Sequence, residues 1–166
     1  MLKNAYTNNY NKLLKYAKSC NFKVIYASCN ASAEWNPKTK TITLSHDYFN
    51  NKAEIAFFLH ELGHALDDAQ QTDKGYVKYL DLCYRRFNKL INTNKKIYIT
   101  ENQKYSVIFT EYRAWKNARD IAKLLRIKLG DWFYKEELDG LKTYFEIAFP
   151  KSFEEKFKQF CKDNDL

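Results

Sequence analysis

Glycine and proline are scarce in this sequence, with 4 and 2 residues among 166, and that scarcity argues against a turn-rich sandwich and in favour of helices. The 4 cysteines, Cys20, Cys29, Cys83 and Cys161, include no CxxC pair. Neither a zinc ribbon nor a disulfide framework is therefore suggested, and reduced thiols in the core are expected. No apolar run is long enough for a membrane span, and Met1 to Leu14 is interrupted by Asn and Lys, so no signal peptide is expected. The default compartment is the cytoplasm, with a non-classical export route open. Repeats, linkers and low-complexity stretches are missing as well, and at this length a single domain spanning 1–166 is expected.

What the chain does hold is apolar material. Hydrophobic residues make up 45% and aromatic residues 17%, enough for a sizeable core and against disorder. The formal charge of +8 is compatible with an acidic partner, nucleic acid included, but no nucleic-acid-binding module is recognisable. Between Lys151 and Lys162 the charges alternate with Phe153, Phe157 and Phe160 at helical spacing, the pattern of a solvated helix face over an apolar one.

Hydrophobic periodicity places a first helix over Tyr6 to Cys20 and a short strand over Phe22 to Tyr26. Ala31 to Trp35 and Thr41 to Ser45 flank Asn36-Pro37-Lys38-Thr39, a turn-forming tetrapeptide, and so predict a β-hairpin. Beyond it the pattern is helical. Asn51 and Glu54 form a capping-box pair that opens a helix to about Ala69, and a second helix spans Tyr76 to Ile91. Thr100 and Gln103 form another capping box, ahead of a long helix expected to end near Gly130. Two more helices, Trp132 to Phe149 and Ser152 to Lys162, are separated by Pro150. The expected class is α+β, with a small N-terminal sheet or hairpin packed on a predominantly helical bundle.

The most informative stretch is His60-Glu61-Leu62-Gly63-His64, an HExxH motif inside a predicted helix. With His60 at 0°, His64 falls at about 40° and Glu61 at about 100°, so all three share one face. Ile55, Phe58, Leu59, Leu62, Ala65 and Leu66 occupy roughly the opposite side and supply the core contact. Two imidazoles one turn apart can grip one metal ion, and zinc suits them. A hydrolytic zinc site needs a third protein ligand and one position for water. Beside that position Glu61 can take a proton from the attacking water and pass it to a leaving amine. Gly63 costs about 1 kcal/mol relative to Ala in a helix interior. Its presence is accounted for either by the close approach of a strand or substrate backbone or by simple tolerance in a buried helix.

The sequence has 3 His, and the remaining one, His46, precedes the motif, so no histidine downstream of HExxH can be the third ligand. A carboxylate is the natural replacement. Glu111 is a lone acid in the apolar stripe formed by Val107, Ile108, Ala114, Trp115, Ala118, Ala122 and Leu125. An ionised carboxylate buried without compensation costs several kcal/mol, which leaves Glu111 metal-bound, ion-paired or protonated. Glu101 lies in a first helical turn, where an acid simply favours the helix dipole. Asp67 and Asp68 follow His64 closely and are candidates to orient an imidazole, or are solvated residues near a helix end. His46 shares strand parity with Ile42 and Leu44 and is a candidate for transition-state stabilisation or substrate contact, or a hydrogen-bonded core or loop histidine. Tyr112 and Tyr144 are candidate oxyanion donors.

The succession Thr41-Ile42-Thr43-Leu44-Ser45, Phe58-Leu59-His60-Glu61-Leu62-Gly63-His64-Ala65-Leu66 and Glu111-Tyr112-Arg113-Ala114-Trp115 resembles a minimal zincin. More narrowly, it resembles the IrrE/ImmA-type metallopeptidases of bacteria, phages and mobile elements, over roughly residues 22 to 125. The resemblance implies zinc-dependent cleavage of a protein substrate, with His60, His64 and Glu111 as ligands and Glu61 as base. It also implies a hairpin strand lying over the motif helix and able to pair with an extended substrate. The chain departs from the family pattern in the longer than usual gap of 47 from His64 to Glu111, in having no histidine shortly after HExxH, and in having no apparent helix-turn-helix module. The alternative is a catalytically inactive zincin-like scaffold that binds a protein or nucleic acid through its basic surface.

Overall fold

The computed structural model describes residues 2–27, 33–45, 52–92 and 97–166, and side chains over 7–27, 33–45, 52–91 and 97–166. Asn51, His46 and Cys29, and the expectations attached to them, lie outside the described residues. Helix α1 (Leu2–Ser19) is followed by strands β1 (Lys23–Ala27), β2 (Ala33–Asn36) and β3 (Thr41–Ser45). Five helices follow: α2 (Lys52–Gln70), α3 (Lys74–Asn92), α4 (Glu101–Leu124), α5 (Asp131–Ala148) and α6 (Phe153–Asp163). The protein is thus α+β with helix predominating. Among the described residues no helix is long and apolar enough to cross a membrane. The chain divides into two compact units, Met1–Gln70 with Arg113–Glu136, and Gln71–Tyr112 with Glu137–Leu166. The boundary passes through α4, which is one unbroken helix.

In the first unit the three strands run in the order β1-β3-β2, with β3 parallel to β1 and antiparallel to β2. The centre goes to β3 because Thr41, Ile42, Leu44 and Ser45 are all buried, and a strand covered on both sides must satisfy its backbone on both edges. Asn36 makes the hairpin turn: its Oδ1 accepts from the N–H groups of Lys38 (3.1 Å) and Thr39 (3.2 Å). Lys40 then takes φ 50°, and Asn36 pairs with Thr41 to close the hairpin. The first hairpin strand accordingly extends to Asn36, one residue beyond the expected Trp35. Helix α1 packs on β1 and α2, burying Leu13 and Ala17. It ends through Asn21 at φ 59°, a left-handed cap that lets the Phe22 N–H reach the Ala17 carbonyl at 2.9 Å.

Helix α4 stops at Leu124, short of the expected Gly130. Arg126 adopts φ 53°, and the Ile127 N–H returns to the Ala122 carbonyl at 2.8 Å, so a non-glycine residue makes the left-handed cap. Burial of Ile127 offsets the roughly 1–2 kcal/mol that such a conformation costs an L-residue. Gly130 serves the next helix instead: its carbonyl accepts the Phe133 N–H at 2.8 Å as α5 begins.

The second unit is held by aromatic packing. Phe145 of α5 meets Tyr105 of α4 and Phe157 and Phe160 of α6, with ring centroids 5.1–6.4 Å apart. At the start of α4 the capping box forms as expected, with Gln103 N–H donating to Thr100 Oγ1 and Thr100 N–H to Gln103 Oε1, both at 3.3 Å. Cys20, Cys83 and Cys161 are free thiols, and burial pushes those of Cys83 and Cys161 up from the ordinary thiol range.

Candidate metal centre

The HExxH segment lies in the middle of α2, and both sides of that helix are covered. Ile55, Phe58, Leu59, Leu62 and Ala65 are buried on the side expected to face the core, and His60 and Glu61 are also buried, each about one-tenth exposed. His64 is half-buried. The two imidazoles converge by their Nε2 atoms, which stand 3.1 Å apart, with the ring planes at 77°. Two nitrogens each about 2.0–2.1 Å from a tetrahedral ion stand about 3.3 Å apart, so the observed spacing is close to that of two ligands of one metal.

The C-terminal half of α4 is locked across this stretch of α2. A Cβ added to Gly63 would lie 2.0 Å from the carbonyl oxygen of Ala114 and 2.8 Å from its carbonyl carbon. Gly63 is therefore explained by close approach, but of a neighbouring helix rather than a strand or a substrate. Asn117 adds a hydrogen bond from Nδ2 to the Gly63 carbonyl at 3.1 Å. Arg113 grips Asp67 through Nε and Nη2 at 3.0 Å each. The indole of Trp115 lies against the His60 ring at 4.2 Å, tilted by 31°.

Glu111 stands one helical turn before Trp115 on the same unbroken helix, so it projects from the same face. One carboxylate oxygen of Glu111 and one ring nitrogen each of His60 and His64 lie within 4.8 Å of one another. Glu111 is buried, and its Oε1 accepts a hydrogen bond from the Tyr84 hydroxyl at 2.7 Å. Two imidazoles and a carboxylate form a donor set that could hold a borderline divalent cation, and three such ligands would leave a fourth position.

Asp67, Asp68, Tyr112, Tyr144 and Glu101, also singled out in the sequence, have partners outside the three-residue group. Asp67 pairs with Arg113, and Asp68 accepts from Trp35 Nε1 at 2.5 Å, so these acids tie α2 to α4 and to the hairpin. Tyr112 packs edge-on against Phe160, Tyr144 stacks on Phe87, and Glu101 pairs with Lys156 at 3.3 Å. Tyr84 and Trp115 were not singled out as site residues. The i, i+4 relation of Trp115 to Glu111 was a usable signal for the indole. Tyr84 is one of 13 tyrosines, and nothing local marks its partner. Comparison with protein-family models, curated proteins and solved structures finds no match to this chain.

Proposed function

We propose that this chain is a zinc-dependent metallopeptidase with a zincin-like arrangement, in which His60, His64 and Glu111 hold the ion and Glu61 is the general base. The observation that carries the reading is the 3.1 Å approach of the two Nε2 atoms, with one oxygen of the buried Glu111 within 4.8 Å of a ring nitrogen of each imidazole. His60, His64 and Glu111 would hold the zinc ion, which when bound would supply Lewis acidity towards a water and a peptide carbonyl.

The remaining chemistry belongs to the chain. His60 and His64 offer the ion ring nitrogens, and the Trp115 ring packs against the His60 imidazole at 4.2 Å. Glu61 is the next residue on the same helical face and is largely screened from solvent, which favours proton transfer over hydration of its carboxylate. It takes the proton of the attacking water and delivers it to the departing amine nitrogen. A protein substrate is supported by the resemblance and by the hairpin: β2 is an edge strand of the sheet, packed against α2, where an extended peptide can add backbone hydrogen bonds.

The test is metal analysis of the purified chain together with proteolysis of a denatured protein such as casein. One zinc per chain, with cleavage abolished by chelator and by Glu61→Gln while the metal is retained, is the expected result. Cleavage unchanged in Glu61→Gln removes that residue from the mechanism. Absence of stoichiometric metal removes the centre itself. Salt-sensitive nucleic-acid binding that survives His60→Ala, without any cleavage, favours the scaffold alternative.

A further inference from the structure

Within the second unit, α3 presents Tyr84 to Glu111, and the hydroxyl donates to Oε1 at 2.7 Å. That is the short range of a hydrogen bond to an ionised carboxylate. Tyr84 is half-buried on α3. Its helix is tied to α4 by Arg86 Nη1 donating to Gln103 Oε1 at 3.1 Å and by Ser106 Oγ meeting the Tyr79 hydroxyl at 3.4 Å, while neighbouring Cys83 and Phe87 are fully buried. The donor is thus fixed by the packing of its own unit.

We propose that Tyr84 is a positioning residue that holds Glu111 to ligation through one oxygen. The inference rests on the metal-centre reading and goes beyond it. A ligating carboxylate can offer a metal one oxygen or two. A hydroxyl proton directed at Oε1 draws electron density from that oxygen and fixes the rotation of the carboxylate plane, which disfavours chelation by both oxygens. One-oxygen ligation keeps the protein ligands at three and the coordination low enough to admit water and a carbonyl. Without the hydroxyl, the carboxylate would be free to rotate towards offering a bound metal both oxygens, which would take up the position left for water.

The experiment uses Co(II), whose visible absorption weakens as coordination number rises, in the full-length wild type, Tyr84→Phe and Tyr79→Phe. Phenylalanine keeps the ring packing, and circular dichroism of the metal-free proteins checks that helix content is preserved. The expected result is one-to-one binding by all three chains, with a weaker visible band and about tenfold weaker affinity in Tyr84→Phe alone, the scale of losing a partner behind a metal ligand. Identical spectra in wild type and Tyr84→Phe overturn the one-oxygen assignment, with or without a change in affinity, and leave the metal centre standing. Failure of the wild type to bind Co(II) overturns both the centre and the role of Tyr84. Equal losses in Tyr84→Phe and Tyr79→Phe identify a structural effect of α3 and overturn the positioning role.

Discussion

Replacing Gly63 by alanine separates two effects that act in opposite directions. Helix propensity alone makes Gly63→Ala stabilising by about 1 kcal/mol, since glycine pays the larger backbone entropy. The crossing with α4 reverses the sign. The new methyl would sit 2.0 Å from the Ala114 carbonyl oxygen and within 3.0 Å of two more backbone atoms. Ordinary carbon contacts lie near 3.5 Å, so the helices must part by about 1 Å or more, and a helix backbone cannot yield as a flexible side chain can. Overpacking of this kind costs about 1–3 kcal/mol, and the Asn117 bond to the Gly63 carbonyl is strained with it. A metal site tolerates ligand displacements of only about 0.2 Å, so under the proposed zinc ligation a shift of this size beside His64 would also weaken metal binding. Thermal denaturation of the metal-free chain should show a midpoint lower by roughly 2–10 °C, with metal affinity reduced by far more than tenfold. Gly75→Ala is the matched control. There the nearest atom is Asp73 Oδ1 at 3.1 Å, a movable side chain, and stability should change by less than about 1 kcal/mol. A Gly63→Ala chain that melts higher than wild type and keeps its metal refutes the argument from the crossing.

Two further outcomes follow from contacts away from the centre. Asp73 caps α3, its Oδ1 accepting from the N–H groups of Gly75 at 2.8 Å and Tyr76 at 3.1 Å; Asp73→Ala should cost about 1 kcal/mol, read as a lower melting midpoint by circular dichroism. Tyr26 has its hydroxyl pKa raised well above the usual tyrosine range by burial and by the nearby Glu54. The unfolded chain therefore releases that proton first. The contribution of Tyr26 to stability is intact below about pH 10 and lost as pH climbs past it, and Tyr26→Phe should flatten the alkaline limb of a stability-against-pH curve. An unchanged alkaline limb in that variant would show that Tyr26 ionises equally in both states.

The features legible in the sequence were those written within a few residues of one another. The Thr100–Gln103 capping box, the Asn36 turn and the shared face of His60, Glu61 and His64 depend on backbone geometry that repeats every turn or every second residue. Glu111 was legible for a related reason, because an acid inside an apolar helical stripe demands compensation wherever the helix packs. The end of α4 was not. Arg126 takes a left-handed conformation without being glycine, and only the burial of Ile127 makes that worthwhile.

Local periodicity thus specified which side chains share a face, because i, i+3 and i+4 neighbours meet in any helix regardless of its surroundings. Which atoms face them from other elements was left to the packing. Gly63 meets the Ala114 carbonyl, Asp67 meets Arg113 and Tyr84 meets Glu111 across separations of 51, 46 and 27 residues. Those pairings depend on where whole helices dock, a choice set by the summed burial of many side chains rather than by any short segment. The helix carrying two imidazoles could be read residue by residue, whereas the hydroxyl on the Glu111 carboxylate is decided by the packing of α3 on the first half of α4, and the indole against the His60 ring by the packing of α2 on its second half.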